Sequence, residues 1–531
     1  MTRGPGGALR LAWRIWRGEG ARGLADRLRD RLADARRRRS FRPAGAAPAG
    51  FSCAVLHLAA APPEPRLGGT QAQLLWRLGT QADRGLPVAL LYPKRAAAGG
   101  GWRLELQRGE ERRALRLTLP EATGAAPSAA GPGPTTALGN PAPASVLDAP
   151  APAMALGDPA PATTLDDPAL ERAVAWAASR CGATVLQVEG LAGMPFASLL
   201  RLRQAGLRLV LVVHDFAAFC PRPHLLESPE PPAPPRFCHY SRDAERCARC
   251  LGRDFAGLPP GYQERRRELA RQLLASADAV VYPSPFLART CDELFAGAGH
   301  AVARVIAPAV PAGSATPPSR GGRPRPLHHL RHAAWVGAVQ PHKGALIFEE
   351  AARRLLAAGA AGRGRLRLTA YGGGDAGILA RWRRIPGLAV RGYYRAGSLP
   401  ALLRRDRADL ALLLSVVPES YGMTLDECAA AGVPVVAFDL GAPAERITAG
   451  GSGLLLAAPL ADDPAAGGAA LAGLLADLMD GREKLPPPPP LSTAVAATPS
   501  EPSRPGPWPA AGGWSQLYRE LGLTSTADPL A

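Results

Sequence analysis

An α/β protein made of two doubly wound parallel-sheet domains facing across a cleft is what this sequence predicts, on three observations. Apolar runs of strand length, above all residues 408–417 (ADLALLLSVV) and 433–439 (VPVVAFD), have the pattern of parallel strands buried on both faces. Residues 51–60 (FSCAVLHLAA), a helix over 71–84 and a strand over 88–92 follow one another as a βαβ unit. The 531 residues leave room for two such series, and a Pro-, Gly- and Ser-rich stretch at 311–327 reads as the hinge between them.

Composition limits what lies outside the two cores. Pro (56) and Gly (59) together exceed one residue in five, so much of the chain is linker or loop. The net charge is +18, and residues 1–43 hold half of it, with 13 arginines against Glu19, Asp26, Asp30 and Asp34. An arm (residues 1–50) with Leu11, Trp13, Ile15 and Trp16 among arginines reads as an element for an anionic membrane surface, or equally as a solvated helix of an arginine-rich chain. No nucleic-acid reader motif accompanies the charge, so nucleic acid is not an expected partner. No apolar run reaches about 18 residues, and Arg10, Arg14 and Arg17 interrupt any signal-peptide core. The expected location is cytoplasmic, peripheral to the inner face of the membrane.

The first domain is expected over 51–310. After its first strand, Gly68 and Gly69 form a turn that lets a phosphate or sugar approach the backbone, or serves simply as a turn. Residues 119–166 are a low-complexity insertion in which ALGNPAPA (137–144) returns as ALGDPAPA (155–162); so short a proline-rich unit cannot bury a face. Order resumes at Asp167-Pro168, an N-cap followed by proline at the first helical position. Strands at 184–188 and 207–213 follow, the second ending in His214-Asp215. His214 there orients a sugar hydroxyl or assists a departing phosphate, or is a satisfied core imidazole. Cys220, Cys238, Cys247 and Cys250 then form a lid region (220–250) with the spacing C-x17-C-x8-C-x2-C. Four thiolates suit a structural zinc, with free lid cysteines as the alternative. A helix over 262–276, a strand over 279–282, a helix opened by Ser284 and a last strand at 304–308 complete this half.

The second domain is expected over 328–480, and residues 481–531 form a proline-rich spacer with a terminal helix near 514–521. Its first strand, 332–339, runs into Lys343-Gly344, where the lysine can neutralise a diphosphate or is an ordinary surface residue. Strands at 365–371 and 388–394 end in Gly372 to Asp375 and in Tyr393-Tyr394-Arg395. After the run at 408–417 come Glu419, a short loop and a helix whose start, Gly422, Met423, Thr424 and Leu425, offers unpaired backbone N–H groups. Glu419 and Glu427 flank that start. Carboxylates suit hydroxyl groups and the helix mouth suits phosphate, which together describe a nucleotide sugar.

PESYGMTLDE followed by AAGVPVVA closely resembles the donor-site motif of retaining family-4 glycosyltransferases of bacterial type, which have the GT-B fold. HDFAAFCPRP and WVGAVQPHKG resemble the corresponding family segments. The resemblance covers roughly residues 51–118 and 167–480, more specifically in the second domain. It implies that Glu419 contacts the donor sugar hydroxyls, Glu427 the ribose, Lys343 the diphosphate, and that Gly68 and Gly69 belong to a loop closing over donor and acceptor. It also implies retention of configuration with no cofactor needed for catalysis, and the chain has no D-x-D motif. One departure stands out: the family usually places an arginine soon after the strand glycine, but Ala338 follows Gly337, so Arg395 or another cation must replace it. The expected activity is transfer of a sugar from a UDP- or GDP-linked donor to a polysaccharide or lipid-linked acceptor. The alternatives are a catalytically silent scaffold that binds a glycan or protein, and a nucleotide-sugar epimerase, whose acid/base carboxylates are not found in the first domain.

Overall fold

The computed structural model describes residues 5–48, 51–63, 69–83, 86–94, 101–118, 163–227, 234–255, 257–296, 302–308, 329–357, 366–450, 452–487 and 512–523. The expected hinge at 311–327, Gly68 and nearly all of the low-complexity insertion lie outside these residues.

Two large sheets organise the described chain. The first has the spatial order Arg42–Pro43, Glu111–Thr118, Gly101–Arg108, Val88–Lys94, Val55–Leu58, Val185–Glu189, Arg208–Val212, Ala279–Tyr282 and Ala303–Val305. From Val88–Lys94 onward every neighbouring pair is parallel. The second sheet is parallel throughout, in the order Leu388–Gly392, Arg367–Tyr371, His332–Val336, Leu410–Leu413, Val435–Phe438 and Gly453–Leu456. Strand order reverses between Val55–Leu58 and Val185–Glu189 in the first sheet, and between His332–Val336 and Leu410–Leu413 in the second. Chains leave such a point in opposite directions and open a crevice at the carboxyl ends, where ligands bind.

Local chemistry accounts for the element ends. Asp167 accepts the N–H groups of Ala169 (2.9 Å) and Leu170 (3.2 Å) and starts the helix Pro168–Cys181. Ser284 accepts from Leu287 (3.2 Å) and starts Pro285–Leu294. In the second domain Trp382 packs edge to face against Trp335 and Phe348, with ring centroids 5.1 and 5.0 Å apart, and the three rings join the sheet to the helices Ala345–Ala357 and Ala376–Trp382.

The antiparallel hairpin Gly101–Arg108/Glu111–Thr118 adds to what the sequence predicts. Both faces of its first strand are buried over Trp102–Leu106. Leu104 and Leu106 face the core, whereas Arg103 and Glu105 are covered because the arm forms a long helix, Pro5–Ser40, whose Arg37 reaches Glu105 (2.9 Å) and whose Arg38 carbonyl accepts from Arg103 (3.1 Å). The same helix touches the second domain. Asp30 accepts from Tyr393 Oη and pairs with Arg395, both at 2.7 Å, and Arg27 lies over the Tyr393 ring. Trp13, Trp16, Leu28 and Leu32 of this helix are exposed, and the two tryptophans stack at 4.9 Å.

The expected terminal helix is present as Gly512–Glu520, and it returns to the first sheet. Leu517 is fully buried in the cluster of Val185, Val210, Ala279, Val281 and Ile306. Tyr518 donates to Gln187 (2.9 Å) and Arg77 stacks over Trp514.

Candidate functional site: the crevice of the second sheet and its facing loops

Lys343 ends a single 3-10 turn, Pro341–Lys343, after the first strand of the second sheet. Gly344 then takes φ +76, and a Cβ there would lie 1.8 Å from the Leu414 carbonyl oxygen, so only glycine fits. The His342 carbonyl accepts from Val416 N (3.0 Å) and Ser415 Oγ (3.1 Å), which ties this turn to the chain leaving Leu410–Leu413. Across the switch point Lys343 Nζ lies 2.8 Å from Glu419 Oε1, with both side chains partly open to solvent. Burial raises the Glu419 carboxyl, but the Lys343 ammonium outweighs it and holds the group below the usual carboxylate range.

The loop after Glu419 is braced from behind. Arg446 donates to Tyr421 O (3.1 Å), stacks on the Tyr421 ring at 4.2 Å and pairs with Asp426. The helix Met423–Ala431 starts without a side-chain cap, Gly422 standing at φ +79. Leu425 N closes on Gly422 O (2.9 Å), so Gly422, Met423 and Thr424 form the helix mouth. Half-buried Glu427 takes the Gly397 N–H (3.2 Å), and burial pushes its carboxyl up to about 7. Arg446 and Asp426 escape sequence reasoning because neither faces the expected ligand.

On the first-domain side His214 follows Arg208–Val212, and its buried Nε2 has no hydrogen-bond partner among the described residues. Withdrawal from water pushes its imidazole down to about 4, leaving it neutral. Beside it, Glu189 binds His57 Nδ1 (2.7 Å) and Arg77 (2.5 Å) at the switch point of the first sheet. Burial opposes the charge of Glu189, yet Arg77 and His57 hold its carboxyl down at about 2. This buried group was not among the sequence candidates. Gly69 is the first residue of the helix Gly69–Asp83, which carries Arg77.

Loops of the first domain meet the second around this crevice. Ser284 Oγ donates to Ser420 O (2.5 Å), Arg289 pairs with Glu445 (3.1 Å), and His239 of the lid meets Asp462 (3.0 Å). His224, also in the lid, stacks on His342 at 4.2 Å with planes 10° apart. Leu225, His239 and Tyr240 all have φ of 50–54°, three of the four left-handed non-glycine residues described. Held strain of this kind gathers where a loop must present a side chain.

The four lid cysteines are free thiols that line one pocket together with Arg222, Arg246 and Arg267. Burial raises the thiols of Cys220, to about 12, and Cys238. As placed, no three His, Cys, Asp or Glu side chains among the described residues are grouped to share one metal ion. Arg395, the sequence candidate for the second phosphate contact, is held instead by Asp30 of the arm helix.

Residues 331–477 match the family model described as "Glycosyl transferases group 1". No curated protein sequence matches the chain. Among solved structures, sucrose-phosphate synthase from Thermosynechococcus elongatus is similar with a TM-score of 0.53 at 17% identity, over 89% of this chain and 100% of that one. Trehalose 6-phosphate synthase from Burkholderia multivorans is similar at 13% identity and TM-score 0.45, over 81% and 92%. HepE of Anabaena, solved with UDP and glucose, is similar at 17% identity and TM-score 0.41, over 67% and 81%. The similarity to the first of these, over 89% of the chain, makes the two sheets the two halves of a GT-B fold, and most of the second lies in the stretch that matches the group 1 glycosyltransferase model.

Proposed function

We propose that this GT-B glycosyltransferase moves a sugar, with retention of configuration, from a UDP- or GDP-linked donor to a polysaccharide or lipid-linked acceptor. The observation that carries this reading is the Lys343–Glu419 pair across the switch point of the second sheet, 2.8 Å apart beside an uncapped helix start. Lys343 and the helix mouth neutralise the charge that builds on the leaving diphosphate; Glu419 accepts donor sugar hydroxyls and Glu427 the ribose. Unpartnered His214 is free to take a hydroxyl of the sugar from the other side. The bond from the anomeric carbon to phosphate breaks, one to the acceptor oxygen forms on the same face, and the acceptor proton leaves with the nucleoside diphosphate.

The test is calorimetry of UDP, GDP, ADP and their sugars with wild type, Glu419→Ala and Glu427→Ala. One nucleotide sugar is expected to bind selectively, and each substitution should weaken it about 10- to 100-fold, the worth of hydrogen bonds to a charged group. If no nucleotide binds, the silent-scaffold reading replaces this one.

The lipid-linked acceptor is supported by the arm, where exposed Trp13 and Trp16 sit in the most basic part of the chain. No helix among the described residues is long and apolar enough to cross a membrane. Sedimentation with vesicles of one-third anionic lipid should fall to background in Trp13→Ser/Trp16→Ser protein; unchanged sedimentation removes membrane docking. Zinc in the four-thiol pocket is likewise a proposal: Cys220, Cys238, Cys247 and Cys250 line it together, and a bound ion would have to draw in sulfurs that, as placed, are not grouped around one point. Metal analysis of protein prepared reduced and zinc-replete should give about one zinc per chain, and a ratio near zero excludes the site.

A further inference from the structure

We propose that His224, from the lid of the first domain, supplies the second diphosphate contact of the donor site and takes up a proton when the donor binds. The inference rests on the donor-site reading above and adds to it a ligand group from the opposite domain.

Three observations converge on this residue. The position where the resembling family carries an arginine is Ala338, which supplies no charge. Arg395, the cation the sequence offers in its place, is committed to Asp30 at 2.7 Å, and Tyr393 Oη donates to the same carboxylate. His224 is instead stacked flat on His342, the residue directly before Lys343, and it feels the charges of both Lys343 and Glu419.

The loop that carries His224 is built to hold it there. Leu225 is buried at φ +54, its N–H bonds to Arg222 O (3.0 Å), its carbonyl accepts Cys238 N (3.0 Å), and Pro223 O accepts Phe216 N (3.3 Å). Arg222 anchors the other side through Cys250 O (3.0 Å) and Asp254. A left-handed leucine next to the imidazole is a cost that packing alone does not call for.

The groups facing His224 decide its charge. Lys343 disfavours a proton and Glu419 favours one; the ring keeps an edge open to solvent, and in the free protein the groups packed around it and the Lys343 ammonium keep the imidazole below its ordinary value. A diphosphate placed against Lys343 reverses that balance, because two negative charges then adjoin the ring. The proton comes from solvent, and the imidazolium donates to a phosphate oxygen. Neutral before binding and cationic after, His224 would add attraction only while the donor is present.

The experiment is calorimetry of UDP-glucose, GDP-mannose and ADP-glucose at pH 7 in buffers of different ionisation enthalpy. It compares wild type with His224→Gln and His224→Arg. Sugar nucleotides are used because their phosphates do not titrate near neutrality. Glu427, which loses a proton on accepting a ribose hydroxyl, contributes with the opposite sign, so the count is read as wild type minus His224→Gln. The expected difference is an uptake of up to about one proton, with about tenfold weaker binding in His224→Gln. His224→Arg should regain the affinity with no uptake. Equal affinity and equal proton count in wild type and His224→Gln would overturn the assignment while leaving the donor site standing. Absence of binding by every sugar nucleotide removes the donor-site reading and this proposal with it.

Discussion

Lys343→Ala is expected to lower sugar transfer, or hydrolysis of the donor, about 10²- to 10³-fold, the range seen when one preorganised charge-stabilising donor is removed from a reaction centre. The loss should fall mainly on kcat, because the diphosphate carries more charge as it leaves than while bound as substrate. A second effect adds to it. Without the ammonium 2.8 Å away, Glu419 keeps its partial burial and loses what holds its carboxyl low, so its proton affinity rises. Lys343→Ala should therefore make activity fall off at a higher pH on the acid side than wild type does. In a double-mutant cycle with Glu419→Gln the two losses should be far from additive, since the two side chains are direct ion-pair partners. Steady-state rates with the nucleotide sugar selected by calorimetry check all three expectations, and a single-variant loss within about twofold removes Lys343 from the diphosphate site.

Gly344→Ala should be among the most damaging one-methyl changes in the second domain. The residue stands at φ +76, and its new Cβ would lie 1.8 Å from Leu414 O and 2.7 Å from Leu414 C, both main-chain atoms that cannot rotate away. Backbone must move on one side or the other of the switch point, which costs about 3 kcal/mol or more. Gly79→Ala is the control. It lies inside the helix Gly69–Asp83 with nothing within 4 Å of its Cβ, and should gain about 0.5–1 kcal/mol from helix propensity. Thermal unfolding separates the two: a sharply lowered midpoint for the first, an unchanged or raised one for the second. Equal midpoints would mean that the turn carrying Lys343 relaxes freely.

The parts of this molecule legible in the sequence are those whose cause is local. The helix Tyr262–Ser276 and the strand Ala279–Tyr282 fall at the expected residues because an amphipathic period gives way to a short β-branched run. Asp167 and Ser284 were legible as caps because their side chains bond within three residues. The helix Phe196–Gln204 was not, since Pro195 at its start makes no side-chain cap. The hairpin at 101–118 left a usable trace: Leu104 and Leu106 alternate with charged residues, and Gly109 at φ +53 forms the turn. Its buried Glu105 obscured the pattern, and only the arm helix explains that burial. In the site, Lys343 and Glu419 could be paired from their places at strand ends. The His224–His342 stack, the capture of Arg395 by Asp30 and the Glu189 group could not, because each joins segments far apart in the chain and depends on how loops fold.

The terminal helix bears on how the chain acquires its structure during synthesis. Leu517 fills a place among Val185, Val210, Ala279, Val281 and Ile306, residues translated more than two hundred positions earlier. While the ribosome is still making the second domain, the first therefore waits with that apolar patch uncovered. The domain that begins folding first is the last to be completed, and a nascent chain stopped before residue 512 leaves the ribosome with a surface suited to chaperones or to aggregation.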